Sequence, residues 1–166
     1  MVYFMVFYVD GGCLRNGYDD AIGAASAVLM TRGNTYYYKT RHLDNWDYTP
    51  TNQRAEMTAI IMALEWALQK YEGLNGYPRL AVKIHSDSRW AIGCMTEWIY
   101  RWSQNGWQNA RGNYVANRDL IEEASGLDDR VRGLGTVEYI WVPRERNKNA
   151  DQHCREALDK QLWDGK

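Results

Sequence analysis

An almost unbroken apolar run over residues 2–9, rich in Val, Tyr and Phe, is the feature that most constrains the fold. A run of this length and composition predicts a central β-strand that is covered on both faces. Such a strand needs structural layers on both sides, and 166 residues are enough to build them as one domain with a real core. We therefore expect a single domain over residues 1–166, with Gly11 and Gly12 ending the first strand.

The remaining elements follow in an order that specifies how the sheet is connected. The pattern predicts four further strands, over 21–30, 34–40, 79–86 and 137–142, and helices over 51–68, 88–102, from 117 onward and over 148–163. The first three strands are joined by short turns, "TRGN" (31–34) among them, and must be antiparallel. Strands that alternate with helices pair in parallel through right-handed crossovers. The predicted fold class is α/β, with a mixed five-stranded sheet of three antiparallel and two parallel strands flanked by helices.

Overall charge and cysteine content exclude some classes of protein. The net charge of −1 gives no global attraction to nucleic acid or membranes, so such a partner would need a local patch. Cys13, Cys94 and Cys154 cannot all pair and lack metal-type spacing, which indicates reduced thiols in an intracellular protein. The nucleus, the cytoplasm and the mitochondrion remain open. The apolar N-terminus lacks a basic segment, and no stretch is long enough to span a bilayer, so we expect no membrane partner. We also expect a monomer.

Four carboxylates occupy positions where acids are unexpected. Asp10 follows the first apolar strand and Asp87 follows the strand over 79–86, and such strand ends meet at one edge of an α/β sheet. Glu56 and Asp151 lie on the apolar stripes of the first and last helices. Each acid alone has an ordinary explanation, because acids near a helix N-terminus gain about 0.3–1 kcal/mol from the helix dipole.

The four acids together are harder to explain as structural residues. Carboxylates that are buried side by side raise one another's pKa, and burial without a partner costs several kcal/mol. No lysine or arginine lies on either apolar stripe close enough to pair with both helical acids, and Arg155, four residues after Asp151, is the nearest candidate. A hard divalent cation would offset the repulsion, since Mg²⁺ prefers oxygen ligands. Four carboxylates can hold two such ions about 3.5–4 Å apart, as in phosphodiester cleavage.

Six ordered motifs resemble those of the ribonuclease H type I family, and the overall pattern is most similar to the fungal members. They are "YVDGGC" (8–13), "TNQRAE" (51–56), "HSDS" (85–88), "WIYRWSQNGW" (98–107), "NRDLIEE" (117–123) and "IWVPRERNKNAD" (140–151). The resemblance runs from about residue 3 to 160. It implies an endonuclease that hydrolyses the RNA strand of RNA/DNA hybrids with two Mg²⁺ ions, for which Mn²⁺ substitutes. The metal-binding and catalytic residues of the family fall on Asp10, Glu56, Asp87 and Asp151.

The resemblance also implies eight substrate contacts. Those to 2′-hydroxyls, which distinguish RNA from DNA, would involve Cys13, Asn16, Asn52 and Gln53. Contacts to the DNA strand would come from Thr51 and Asn117 at a phosphate and from Trp90 and Trp98 at the sugars. Several of these residues have structural alternatives, because Asn52 and Asn117 could cap helices and the tryptophans could be core. We expect Trp102 and Trp107 to be core residues.

The chain departs from the family pattern in two places. Thr49 stands where family members often carry an arginine of the phosphate pocket. The loop over 143–149 lacks the histidine that many members place before the last helix. His153 is a poor substitute because we expect it to be solvent-exposed, and Glu145 or Arg146 are the candidates to replace that histidine.

Three other functions are compatible with parts of the pattern. Integrases, resolvases and transposases share the fold and use clustered acids, although they lack the "TNQRAE" context. A non-catalytic hybrid-binding module is a second alternative, which the presence of all four acids disfavours. A glycosidase is the most distant, because two carboxylates suffice for its chemistry.

Overall fold

The computed structural model describes residues 1–164 and contains the predicted order of strands and helices. The strands are β1 (Val2–Leu14), β2 (Ile22–Met30), β3 (Tyr36–His42), β4 (Arg79–Ser86) and β5 (Gly135–Trp141). The helices are α1 (Asn52–Glu72), α2 (Arg89–Gly93), α3 (Ile99–Trp102), α4 (Arg118–Arg132) and α5 (Lys148–Asp164). A π-helical turn, Cys94–Trp98, joins α2 to α3, so the single helix predicted over 88–102 is continuous but locally widened.

The sheet has the predicted mixed topology, with strand order β3-β2-β1-β4-β5. The pairs β1–β2 and β2–β3 are antiparallel, whereas β4 is parallel to both β1 and β5. The prediction of three antiparallel and two parallel strands is therefore confirmed. β1 lies at the centre, where both edges of its backbone are hydrogen-bonded.

β1 continues beyond the glycines that were expected to end it. Gly11 and Gly12 stay paired with β2, whose register reaches Leu14. The parallel partner β4 stops earlier, at the pair Val9–Ser86. Asp10 is therefore inside the strand, at the first position where one neighbouring strand continues and the other has ended. The predicted strand end was wrong because an antiparallel partner on one side is enough to keep glycines extended.

The two faces of β1 are covered unequally. Met5, Phe7 and Val9 are buried against α1, whereas Phe4 on the opposite face is 70% exposed. α5 covers that second face only near the C-terminal half of β1, where Leu158 packs beside Gly12. The prediction of a strand covered on both faces therefore holds for one half of β1 only.

The helix starts differ from the predicted caps. Thr51, rather than Asn52, caps α1, because its Oγ1 accepts a hydrogen bond from the Arg54 N–H at 3.1 Å. Asn117 precedes α4 as predicted, yet its backbone is left-handed (φ 65°) and its side chain makes no capping bond. That side chain is free to reach across to α1 instead.

Other expectations about the core and the thiols agree with the structure. Trp107 is buried, and Trp102 packs against the core with a partly buried ring. All three cysteines are free thiols. Among residues 1–164, no helix combines the length and apolarity needed to cross a bilayer.

Gly11 is where α1 crosses closest to β1. A Cβ at this position would overlap the backbone of Ala55 and the amide nitrogen of Glu56. Backbone atoms cannot swing aside, so the missing side chain of Gly11 sets how closely the start of α1 approaches the central strand.

We expect Gly11→Ala to lower the free energy of unfolding by about 3 kcal/mol, because α1 must shift away from β1. Gly12→Ala is the matched control, since its Cβ would meet only the side-chain ends of Leu158 (3.2 Å) and Cys154 (3.4 Å). That change should cost less than about 1 kcal/mol. Urea denaturation of the three proteins measures the difference, and equal costs for the two variants would contradict the assigned contact.

Candidate active site

One cleft of about 620 Å³ brings together all four predicted carboxylates. Asp10 from β1, Glu56 from α1, Asp87 from the turn after β4 and Asp151 from α5 all line it. Four elements distant in sequence thus each deliver one acid to the same place. The convergence of these residues, predicted from the sequence, is observed in the structure.

Burial and mutual repulsion raise the pKa of three of these acids. Burial is the largest cause for Asp10, and the negative charges of Asp87 and Asp151 add to it and raise the pKa of Asp10 to about 8. The pKa of Asp87 is raised by burial and by Asp151, and Arg144 partly offsets this. Burial also raises the pKa of Glu56. The cleft therefore concentrates acidic groups whose repulsion is only partly offset by neighbouring cations.

Two of the acids have polar partners in the structure. Ser88 Oγ donates a hydrogen bond to Glu56 Oε2 at 2.6 Å, and this bond favours the charged carboxylate. Asp151 forms ion pairs with Arg155 at 3.1 Å and with Arg144 at 3.7 Å. The proximity of Asp151 further raises the pKa of Asp10.

The negatively charged groups that line the cleft are all carboxylates, and carboxylate oxygens are ligands that hard divalent cations prefer. As the side chains stand, no three His, Cys, Asp or Glu residues within 1–164 are close enough together to hold a metal ion. Ser88 and Arg155 already engage oxygens of Glu56 and Asp151. The donor set fits a divalent ion in its chemistry, because it consists of carboxylate oxygens.

Arg144 lies in the cleft, and the two residues proposed to replace the missing loop histidine do not. Glu145 and Arg146 line a separate cavity of about 340 Å³ beside Tyr8. The side chain of Asn147 explains this division, because its Nδ2 donates to the Val9 carbonyl at 2.8 Å and holds the loop against β1. The direction of each side chain in this one-turn segment could not be read from the sequence.

His153 is buried, in contrast to its predicted exposure. Its ring stacks on Tyr38 with centroids 3.6 Å apart, and its Nε2 lies 2.9 Å from the Tyr36 hydroxyl. The tyrosines of the edge strand β3 thus cover this face of α5. His153 does not line the cleft, which agrees with the expectation that it is no substitute for the loop histidine.

Six of the eight predicted substrate contacts form a continuous polar surface beside the acids. They are Cys13, Asn16, Thr51, Asn52, Gln53 and Asn117. Cys13 and Asn52 line the cleft itself, and Asn16 Oδ1 accepts the Asn52 N–H at 3.1 Å. Asn117 Nδ2 donates to Gln53 Oε1 at 3.2 Å, which connects α4 to α1.

Arg54 supports this surface and was not predicted as a site residue. Its guanidinium donates two hydrogen bonds to Asp119, at 2.9 and 2.7 Å, and lies 3.4 Å from Asn117 Oδ1. The bidentate pair holds the start of α4 against α1. The sequence feature that could have identified Arg54 as a site residue is its position inside the motif "TNQRAE".

Trp90 and Trp98 lie apart from the other predicted contacts. Both are partly buried and pack against the core, and neither is among the residues lining the cleft. Trp98 packs on Trp102 with ring centroids 5.9 Å apart. The structure therefore separates these two residues from the acids, and a role at the DNA sugars stays a prediction.

Comparison with solved structures defines the fold class first. The chain resembles LC9-RNase H1, a type 1 RNase H with the type 2 active-site motif, with a TM-score of 0.70 and 25% identity. This match covers 97% of the chain and 74% of that protein. The mixed sheet with its carboxylate cleft is thus an RNase H fold.

Sequence comparison then gives the family. The RNase H family model matches residues 3–159. Ribonuclease H of Anaeromyxobacter dehalogenans is 36% identical over 139 residues, covering 82% of this chain and 68% of the relative. Ribonuclease HI of Xylella fastidiosa is 31% identical over 151 residues, covering 91% and 86%. The chain belongs to the RNase H family, and it is therefore a nuclease of the hydrolase class.

These relatives are bacterial, so the expected likeness to fungal members has no support.

The raised pKa of Asp10 predicts a particular pH dependence of stability. Between the unfolded pKa of 3.8 and the folded pKa of about 8, the folded state keeps a proton that the unfolded chain releases. The free energy of unfolding in the presence of chelator should therefore fall as the pH rises through this interval. Asp10→Asn should remove this contribution and be more stable than the wild type at pH 8, by on the order of 3 kcal/mol.

The measurement is urea denaturation with chelator at several pH values. Asp159→Asn is the control, because this acid is exposed on α5 and should leave the profile unchanged. An Asp10→Asn profile that parallels the wild type would show that Asp10 is ionised in the folded protein.

Proposed function

We propose that this protein is a type I ribonuclease H that hydrolyses the RNA strand of RNA/DNA hybrids endonucleolytically. The observation that carries the proposal is one cleft with four converging carboxylates, bordered by a polar surface suited to nucleic acid. The likeness to a type 1 RNase H supports the subclass. Residues 1–166 would act as one catalytic domain and as a monomer, and the three free thiols support an intracellular location.

Asp10, Glu56, Asp87 and Asp151 are proposed as the catalytic, metal-holding residues. Two bound Mg²⁺ ions, or Mn²⁺ in their place, would supply activation of water and stabilisation of the leaving oxygen. Asp10 would be central, because its pKa depends on both Asp87 and Asp151. Repulsion among these acids would favour the binding of cations in the cleft.

The polar surface beside the acids would recognise the hybrid. Cys13, Asn16, Asn52 and Gln53 can exchange hydrogen bonds with 2′-hydroxyls, which only an RNA strand offers. Thr51 and Asn117 would bind a phosphate of the DNA strand. Asn117 does not cap α4, and its side-chain amide instead lies at the junction of α1 and α4. Trp90 and Trp98 are proposed to contact deoxyribose further along.

Asp10→Asn should lower hybrid cleavage by more than about a thousandfold, because it removes the central carboxylate that would hold the metal ions. The assay uses labelled RNA/DNA hybrid, duplex DNA and duplex RNA, each with Mg²⁺, Mn²⁺ or chelator. We expect the wild type to cut only the RNA of the hybrid, and only with a metal.

The other results of this assay distinguish the alternative functions. Cleavage of duplex DNA would indicate an integrase-type nuclease, and hybrid binding without cleavage would indicate a binding module. Circular dichroism of Asp10→Asn must match the wild type, so that lost activity is not lost folding. Full turnover by this variant would refute the assignment of Asp10.

Arg144→Ala should lower kcat about tenfold and move the acidic limb of the pH–rate profile to higher pH. The reason is that Arg144 lowers the pKa of Asp87, so its removal leaves Asp87 protonated to a higher pH. Arg146→Ala and Glu145→Ala are matched controls from the same turn, and both should retain wild-type rates. A shifted profile in Arg146→Ala, with none in Arg144→Ala, would reverse the assignment.

A further inference from the structure

A stacked arginine and tryptophan lie beside the carboxylate cleft. Arg89 begins α2, two residues after Asp87, and its guanidinium carbon is 3.9 Å from the centroid of the Trp141 ring. Trp141 ends β5, lines the cleft and donates its Nε1–H to the Asp87 carbonyl at 3.2 Å. Trp141 is thus hydrogen-bonded to the backbone of Asp87, and Arg89 is stacked on Trp141.

Arg89 does not neutralise the acids of the cleft. Among residues 1–164, no carboxylate forms an ion pair with it, whereas Arg144 is 3.7 Å from Asp151. The shift in the pKa of Asp87 has Arg144 among its causes and not Arg89. Arg89 is exposed and carries an unpaired positive charge at the rim of the cleft. A charge that serves no internal partner is available to an external one.

Stacking prepares this guanidinium for a ligand. The indole covers one face of the planar group, and its N–H donors, which lie in the plane, are left free. The stack also restrains a side chain that would otherwise lose conformational entropy on binding. A guanidinium fixed in this way fits the two oxygens of a phosphate.

We propose that Arg89 binds a backbone phosphate of the nucleic-acid substrate next to the phosphate that is cleaved, with Trp141 as its positioning residue. This inference rests on the proposed function, because it requires a nucleic-acid substrate in the cleft. It adds a cationic contact, from the start of α2 and the end of β5, to the contacts proposed for the polar surface. A chain with net charge −1 needs such local contacts to hold a polyanion.

The test is the affinity for an RNA/DNA hybrid, measured by fluorescence anisotropy at several salt concentrations in the Asp10→Asn background, which keeps the hybrid intact. Arg89→Gln should weaken binding about tenfold at about 0.1 M salt. It should also reduce the slope of log Kd against log salt by about one, as expected for the loss of one phosphate contact.

Arg79→Gln is the matched control, because it removes the same charge from the opposite end of β4, where Arg79 is exposed. Its affinity and slope should equal those of the parent. Trp141→Leu should weaken binding when Arg89 is present and have little further effect in Arg89→Gln, since the tryptophan acts through the arginine.

Three outcomes would overturn the proposal. The first is an affinity of Arg89→Gln equal to that of Arg79→Gln. The second is a loss of affinity in Arg89→Gln with an unchanged salt slope, which would mean a contact to base or sugar. The third is additivity of the effects of Trp141→Leu and Arg89→Gln. Failure of the proposed function looks different, because the parent would then neither bind the hybrid nor, with Asp10 restored, cleave it.

Discussion

The repulsion among half-buried carboxylates is the constraint on which the arrangement of the site depends. Asp10 lies where the parallel partner of β1 has ended and the antiparallel partner continues, so its side chain is half-buried at the edge of the sheet that opens into the cleft. Asp87 and Asp151 add their charges, and the pKa of Asp10 rises to about 8. A fold that only had to be stable would replace these acids with apolar residues. Their retention in a well-packed α/β domain is explained by a ligand that carries positive charge.

The hydrogen bond and ion pairs that partly offset the repulsion among the acids can be replaced by a bound cation. Ser88 satisfies Glu56 and also caps α2, accepting the Ala91 N–H at 3.1 Å, so the same hydroxyl holds the acid and the helix start. The arginines at Asp151 are both largely exposed, with side-chain exposures of 76% for Arg144 and 67% for Arg155. Exposed ion pairs contribute little free energy. They can therefore be given up to a divalent ion at small cost.

The sequence predicted the sheet because apolar periodicity and short turns determine strand order, and it predicted the acids because each interrupts an apolar pattern. It failed where the outcome depends on contacts between distant segments. Gly11 remains in β1 because β2 continues beside it, and His153 is buried because Tyr36 and Tyr38 cover α5. Arg144 could not be distinguished from Arg146 because both lie in one short turn, whose orientation Asn147 sets from the far side.

Helix α1 connects the acid cleft to the polar surface. Glu56 belongs to the acid cleft, whereas Asn52 and Gln53 belong to the polar surface, and all three lie in the first two turns of one helix. The close approach at Gly11 sets the distance of this helix from β1, and the Arg54–Asp119 pair sets its relation to α4. A displacement of α1 would therefore move the acid and the proposed 2′-hydroxyl contacts together. In the proposed function, recognition of the RNA strand and alignment of its phosphate would therefore both follow from the position of this one helix.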